Sequence, residues 1–292
     1  MYKETYHSGC KINLSLSITG ILKNGYHTID SLFWPLKYPC DTLDFCAKHG
    51  QEFIINCNIK DIDINNNTLT KAYDAFIKAG GQIKPEYGAI HVNLTKNIPH
   101  GAGLGGGSSN AASVLLWCNK HAIEPLEQNK LLEVALQVGA DVPFFLINTP
   151  AHIQGIGEKI ESLAYSPIQH YAILICPNIY ISTPWAYKSF DEEKKLSYAK
   201  KLLTKSKHIY TTLFVGEGYE SIQFSNDFEN VVFTLHPALK QIKHDLLSQG
   251  ALFATMSGSG SAIVGVVRRH EEAIKIAEYF KSDDCKTFVS SL

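Results

Sequence analysis

The segment Pro99-His-Gly-Ala-Gly-Leu-Gly-Gly-Gly-Ser-Ser-Asn-Ala-Ala112 constrains this chain more than any other. Glycine has no Cβ to keep an anion away from the backbone, so successive N–H groups can converge on one. An alanine-rich helical pattern follows at once, and a helix start adds unsatisfied N–H groups and the positive end of its dipole. With the strand pattern Ala89–Leu94 leading in, the spacing predicts a strand, a glycine loop and a helix arranged as a phosphate cradle. The loop is not a Walker A, because Ser108 rather than Lys follows Gly107. Gly101, Gly103 and Gly106 fit G-x-G-x-x-G, but that fingerprint also wants an acidic residue about 20 positions on, after the next strand. Glu124 and Glu127 instead flank Pro125 between two helical patterns, so a dinucleotide site is poorly matched. A plain glycine turn between strand and helix is the alternative reading.

The chain has 292 residues, 45% of them hydrophobic and 19% charged, which suffices for a real core in one large or two ordinary domains. A formal net charge of −1 gives no electrostatic footprint for nucleic acid or an anionic membrane. No apolar run approaches the roughly 18 residues of a bilayer span. Met1–His7 has neither a signal core nor a transit-peptide composition, and the seven cysteines form no C-x-x-C pair. The expectation is a cytoplasmic protein with free thiols, no nucleic-acid or membrane partner, and a monomeric or homodimeric state.

Ile12, Leu14, Leu16 and Ile18 alternate with Lys11, Asn13, Ser15 and Ser17, which predicts a half-buried strand with a polar face. Asn24-Gly25 offers a hairpin turn, with Tyr26–Leu32 as the returning strand. Further short strands are expected at Asp41–Phe45, Phe53–Asn58, Tyr171–Cys176, Leu252–Thr255 and Ala262–Val267. Helical patterns occupy Leu69–Ala79, Ala111–Lys120, Leu126–Val138, Tyr198–Lys205, Ala238–Ser248 and Glu271–Tyr279. The glycine-punctuated His152–Gly157 is the best place for a boundary or crossover. Strands and helices mix without strict alternation, so the class is α+β rather than α/β.

Three motifs stand in order along the chain: Lys11-Ile-Asn-Leu14, Pro99–Ala112 and Met256-Ser-Gly-Ser-Gly-Ser261. Together they resemble the GHMP kinases. Two further segments, Gly25-Tyr-His-Thr28 and Gly139-Ala-Asp-Val-Pro-Phe-Phe145, narrow the resemblance to members acting on a cytidine diphosphate substrate in non-mevalonate isoprenoid biosynthesis. The resemblance implies a two-domain α+β GHMP kinase fold, with an ATP-binding domain over 1–155 and a substrate-binding domain over 156–292. The second domain would be ferredoxin-like, a sheet with helices on one face. The implied reaction is ATP-dependent phosphorylation of the 2-hydroxyl of 4-diphosphocytidyl-2-C-methyl-D-erythritol, with Mg²⁺ accompanying ATP. No carboxylate cluster suggests a dedicated metal cage, so no metal ligand is assigned. Another GHMP small-molecule kinase or a diphosphomevalonate decarboxylase would share the loop without the cytidine residues. A catalytically silent nucleotide-binding module is the non-enzyme alternative.

Within the resemblance, Lys11 and Asp141 match the family's catalytic pair: a carboxylate to take the proton of the attacking hydroxyl and a cation to hold charge. By pattern alone, Lys11 is equally a solvated lysine and Asp141 a helix cap. Asn67 and Lys96 match positions near the ATP base. Pro99, Gly101, Gly103, Leu104, Gly105, Gly106, Gly107, Ser108 and Ser109 form the phosphate loop. Tyr26, His27 and Tyr187 match positions that hold the cytidine end, and two aromatic faces suit a pyrimidine sandwich. Outside that context each tyrosine is a packed aromatic with a wet hydroxyl. Asn13 and Thr183 fit as polar contacts to the methylerythritol or its phosphates. Met256–Ser261 is either a glycine hairpin turn or a segment shaping the phosphate loop and substrate pocket.

Overall fold

The computed structural model describes residues 2–59, 67–163, 170–194 and 224–292. The chain forms two compact units that are interleaved in sequence. One comprises Met1–Cys10, Pro39–Ile98 and Gly105–Asn148; the other comprises Lys11–Tyr38, Pro99–Leu104 and Thr149–Leu292. Two long strands, β1 (Lys3–Ile21) and β2 (His27–Cys57), contribute residues to both.

In the first unit, β3 (Gly88–Thr95) pairs antiparallel with Thr42–Lys48 of β2. The chain turns at Gly50, whose φ of +124° favours glycine, and Phe53–Cys57 then pairs along β3 as well. The short strands expected at Asp41–Phe45 and Phe53–Asn58 are therefore the two arms around β3. Four helices accompany them among the described residues: α1 (Thr68–Lys78), α2 (Gly106–Lys120), α3 (Gln128–Val138) and α4 (Val142–Ile147). Apolar residues cover most of α2, and Ala111, Ala112, Val114, Leu115, Trp117 and Cys118 are all buried. A helix apolar nearly all round belongs in the interior, and α2 packs against α1, α3 and α4. Trp117 stacks on Phe45 of β2, with ring centroids 4.9 Å apart. The helix starts earlier than Ala111 because Gly105, at φ +70°, is its N-cap and lets the glycine-serine residues wind into its first turn.

In the second unit, β4 (Ala151–Gly155) pairs antiparallel with Ile29–Phe33 of β2, and β5 (Lys159–Ser162) pairs with β4. His152–Gly157, the expected place for a boundary or crossover, carries most of β4 and the turn that follows it. Its glycines carry the turn into β5, with Gly155 at φ +71° and Gly157 at φ +114°.

The remaining described elements are β6 (Tyr171–Pro177), α5 (Thr183–Lys194), α6 (Glu229–Leu235), α7 (Pro237–Ser248), β7 (Phe253–Met256), β8 (Ile263–Val267), α8 (His270–Tyr279) and β9 (Cys285–Ser291). The four strands form an antiparallel sheet in the order β7-β8-β6-β9. That order, with helices between β6 and β7 and between β8 and β9, is the ferredoxin-like arrangement. Ile173 and Ile175, two apart and hence on one face of β6, share a core with Leu239 and Leu246 of α7 and Ala273 and Ile276 of α8. The helical pattern at Tyr198–Lys205 lies outside the described residues.

The β1 segment departs from its expected half-buried character. Lys11, Asn13 and Ser15 are as buried as Ile12 and Leu14. Both faces are covered, so the polar residues need internal partners.

Candidate active site

In the second unit, β1 places Lys11 and Asn13 on one face, two residues apart. Lys11 is 4% exposed, which removes the reading of a solvated lysine. Its Nζ donates to Asn13 Oδ1 at 2.6 Å and stands 4.5 Å over the Phe33 ring. Asn13 Nδ2 donates to Ser31 Oγ at 2.9 Å, and Ser31 donates on to the Ser15 carbonyl. The Asn13 amide therefore has a fixed orientation, its oxygen toward the ammonium.

The first part of the glycine loop, Pro99–Leu104, lies against the same strand. Lys11 N donates to Leu104 O at 2.9 Å. Asn13 N donates to Ser257 Oγ at 3.2 Å, and Ser257 Oγ donates to Gly103 O at 2.9 Å. Gly103 has φ +75°, and a Cβ there would come within 2.0 Å of Ser257 O. This glycine is required by the backbone of the second glycine-serine segment, whatever else it serves. The two glycine motifs, distant in sequence, are packed main chain against main chain. Thr183, at the start of α5, hydrogen-bonds Ser259 of the same segment at 2.8 Å.

Tyr187 follows one turn along α5. Its ring stacks on His27, with centroids 4.5 Å apart and planes 27° from parallel. His27 Nε2 lies 2.8 Å from Asp191 Oδ1, a further turn along the helix. Tyr26 sits at the hairpin tip with 63% of its surface exposed. The described partner of the Tyr187 face is thus His27 rather than Tyr26.

In the first unit, Gly105–Ser109 form the N-cap and first turn of α2. A Cβ on Gly106 would meet Ile98 Cγ2 at 3.0 Å and Lys96 Nζ at 3.3 Å, so the lysine head stands beside the helix start. Thr68 Oγ1 donates to Gly107 O at 3.1 Å. Lys96 is ion-paired with the fully buried Asp41, which also accepts from Asn97 N at 2.7 Å, Ile98 N at 2.9 Å and Asn110 Nδ2 at 2.9 Å. One carboxylate therefore anchors the exit of β3, Lys96 and α2. Asn67 is the N-cap of α1, its Oδ1 accepting from Leu69 N at 2.8 Å and Thr70 N at 3.0 Å. Asp141 occupies the N-cap position of α4, ahead of Pro143, but its side chain makes no capping hydrogen bond.

Sequence reasoning singled out neither Asp41 nor Asp191. The signal for Asp41 was an aspartate inside a strand pattern, where that residue is disfavoured. For Asp191 it was helical spacing: Thr183, Tyr187 and Asp191 recur every fourth residue and share a helix face.

One unit thus holds a buried strand lysine beside two interlocked glycine segments, and the other a glycine-capped helix start able to receive an anion. Comparison with known proteins gives the family. The N-terminal domain model of the GHMP kinases matches residues 67–149 and the C-terminal model matches residues 215–286. The chain belongs to the GHMP kinases; it is an enzyme of the kinase class, with ATP as a substrate. Among its relatives, the 4-diphosphocytidyl-2-C-methyl-D-erythritol kinase of Lawsonia intracellularis is 42% identical, over 97% of this chain and 95% of its own length. The protein of the same name from Nitratidesulfovibrio vulgaris strain DP4 is 41% identical, over 97% of both. A crystal structure of 4-(cytidine 5'-diphospho)-2C-methyl-D-erythritol kinase superposes with a TM-score of 0.81 at 29% identity, covering 99% of this chain and 98% of that one. A homoserine kinase structure at 18% identity and a TM-score of 0.73 shares the fold.

Proposed function

We propose that this kinase transfers the γ-phosphoryl group of ATP to the 2-hydroxyl of 4-diphosphocytidyl-2-C-methyl-D-erythritol. The observation that carries the reading is the similarity, over nearly the whole chain, to kinases named for that substrate. The flat His27–Tyr187 pair supports it, because a pyrimidine is bound well by an aromatic face. In this reading Asp141 takes the proton of the 2-hydroxyl as its oxygen bonds to the γ-phosphorus. The bond from that phosphorus to the β,γ-bridging oxygen breaks, and ADP leaves. The Lys11 ammonium holds negative charge during transfer, oriented by Asn13.

Gly101, Gly103 and Gly105 to Ser109 are assigned to the triphosphate, with Mg²⁺ shielding it. Asn67 and Lys96 go to the base, and Thr183 to the acceptor's phosphates. ATP chemistry centred on 1–155 and acceptor recognition extending over 156–292 belong to the same reading, supported by where the two family models fall. So do a cytoplasmic setting, in keeping with seven cysteines free of disulfides, and a monomeric or homodimeric state. No described helix is long and apolar enough to cross a membrane.

A coupled assay of ADP release across a panel of acceptor alcohols tests the proposal. Turnover should require the cytidine substrate and be competed by CDP. Turnover with mevalonate or homoserine instead would overturn it.

A further inference from the structure

The run Asn226-Asp227-Phe228-Glu229 has no part in the reading above, yet its polar side chains are buried: Asn226 is 4% exposed and Asp227 6%. Buried polar groups cost stability unless paired, and the partners of these define two segments. The first is β1. Asp227 Oδ2 accepts from Ile18 N at 2.9 Å, Asp227 N donates to Leu16 O at 2.9 Å, and Leu16 N donates to Ser225 O at 3.0 Å. The second is the glycine-serine segment after β7. Asn226 Nδ2 donates to Met256 O at 2.7 Å and to Gly258 O at 2.6 Å, while Glu229 Oε1 accepts from Met256 N at 2.9 Å.

Two carbonyl oxygens converging on one side chain call for two protons on one nitrogen, which an asparagine amide supplies and an aspartate does not. Its Oδ1 in turn accepts from Phe228 N at 2.9 Å, which fixes which end of the amide is the donor. The segment held in this way is the one on which Gly103 rests and from which Ser257 reaches Asn13. Phe228 extends the same element to the acceptor side: its ring meets Tyr187 edge-on, with centroids 4.8 Å apart.

We propose that Asn226-Asp227-Phe228-Glu229 is a positioning element for phosphoryl transfer. By clamping Met256 and Gly258 to β1, Asn226 sets the Ser257 hydroxyl, and through it both the Gly103 carbonyl and the Asn13–Lys11 pair. Asn226 touches neither reactant and acts through Ser257. The inference rests on the proposed function for the identity of the reaction, but the clamp itself is tested by nucleotide binding alone.

A double-mutant cycle on the full chain, with affinity for a non-hydrolysable ATP analogue as readout, decides it. Asn226→Asp should weaken the analogue by about 10-fold, the equivalent of one or two well-made hydrogen bonds. Ser257→Ala should cost a similar factor, and the double variant little more than either, because residues acting in series are not additive. CDP affinity should fall by clearly less than the analogue's in both variants, because Phe228 and the Tyr187 face it meets are left in place, whereas a general loss of folding would weaken both ligands alike. Should Asn226→Asp fail to fold, Asn226→Ser takes its place; it keeps one donor and sets no carboxylate against the two carbonyls. Multiplying losses in the double variant, or unchanged analogue affinity in a folded Asn226 variant, would overturn the proposal. A wild type that binds the analogue but phosphorylates no cytidine acceptor would overturn the proposed function and leave the cycle readable.

Discussion

His27 Nε2 lies 2.8 Å from Asp191 Oδ1 while the same imidazole stacks on Tyr187, so one helix turn of α5 holds both the edge and the face of His27. A carboxylate on one ring nitrogen fixes the tautomer and plane of the other side of the ring. The flat surface proposed to meet cytosine is therefore held before any ligand arrives.

Replacing Tyr187 by Ala should remove a stacking contribution of about 1–3 kcal/mol, a loss on the order of 5- to 150-fold in CDP affinity. Tyr187→Phe should cost far less, since the face carries the contact. Asp191→Ala should also weaken CDP, by releasing His27. Titration calorimetry with CDP and an ATP analogue separates these outcomes from misfolding, which would weaken both ligands. Tyr26→Ala should lose CDP affinity to the same order as Tyr187→Ala, if its exposed ring forms the second wall on binding.

Asp141→Asn should lower kcat by about 10²–10⁴-fold, the range of general acid–base catalysis. The melting temperature should hardly move, because Asn is nearly isosteric with Asp. Parallel kinetics and thermal melts check both halves. Near-normal turnover would return Asp141 to a structural role.

The glycines of the loop should divide by mutation. Gly103→Ala forces a Cβ to within 2.0 Å of a main-chain oxygen at a positive φ, so melting temperature and activity should fall together. Gly106 has no positive φ, and its Cβ would meet Ile98 Cγ2 at 3.0 Å and the head of Lys96 at 3.3 Å, side chains rather than main chain. Gly106→Val should chiefly weaken ATP, leaving CDP binding close to wild type. Differential scanning calorimetry beside ATP-analogue titration distinguishes the two.

Acid stability has an identifiable contributor far along β1 from Lys11. Burial pushes the Glu4 carboxyl up, but hydrogen bonds from Lys120, Tyr2 and His121 outweigh it and hold its pKa at about 2. A carboxyl depressed in the folded state adds stability above its ordinary value of 4.5 and loses it as pH falls toward 2. Glu4→Gln should therefore lower the melting temperature near neutrality and flatten its decline between about pH 4.5 and 2. Melting curves across that range, wild type against variant, measure the difference. Parallel curves would show that another carboxylate dominates.

Local sequence determined the α+β class, the strand–glycine loop–helix unit and most helices, because each leaves a pattern within a few residues. Apolar periodicity marks α1, α3, α7 and α8, and Gly80-Gly81 marks where α1 must stop. The ordered motifs from Lys11 to Ser261 carried the family. Other features left no local trace. The polar side of β1 reads as solvent-facing, yet Lys11, Asn13 and Ser15 are buried, since only tertiary contacts supply the Ser31, Ser257 and Phe33 that cover them. β9, rich in polar residues, becomes a strand by pairing along β6. Asp41 reads only as an unfavoured residue in a strand pattern and Asn226 as an ordinary turn or cap residue; neither pattern names the partners, 55 and 30 positions away, that come within hydrogen-bond reach. Periodicity records which face of an element meets the core. Which distant polar group satisfies a buried donor is decided only when the chain has folded, because that pairing depends on positions no local window contains.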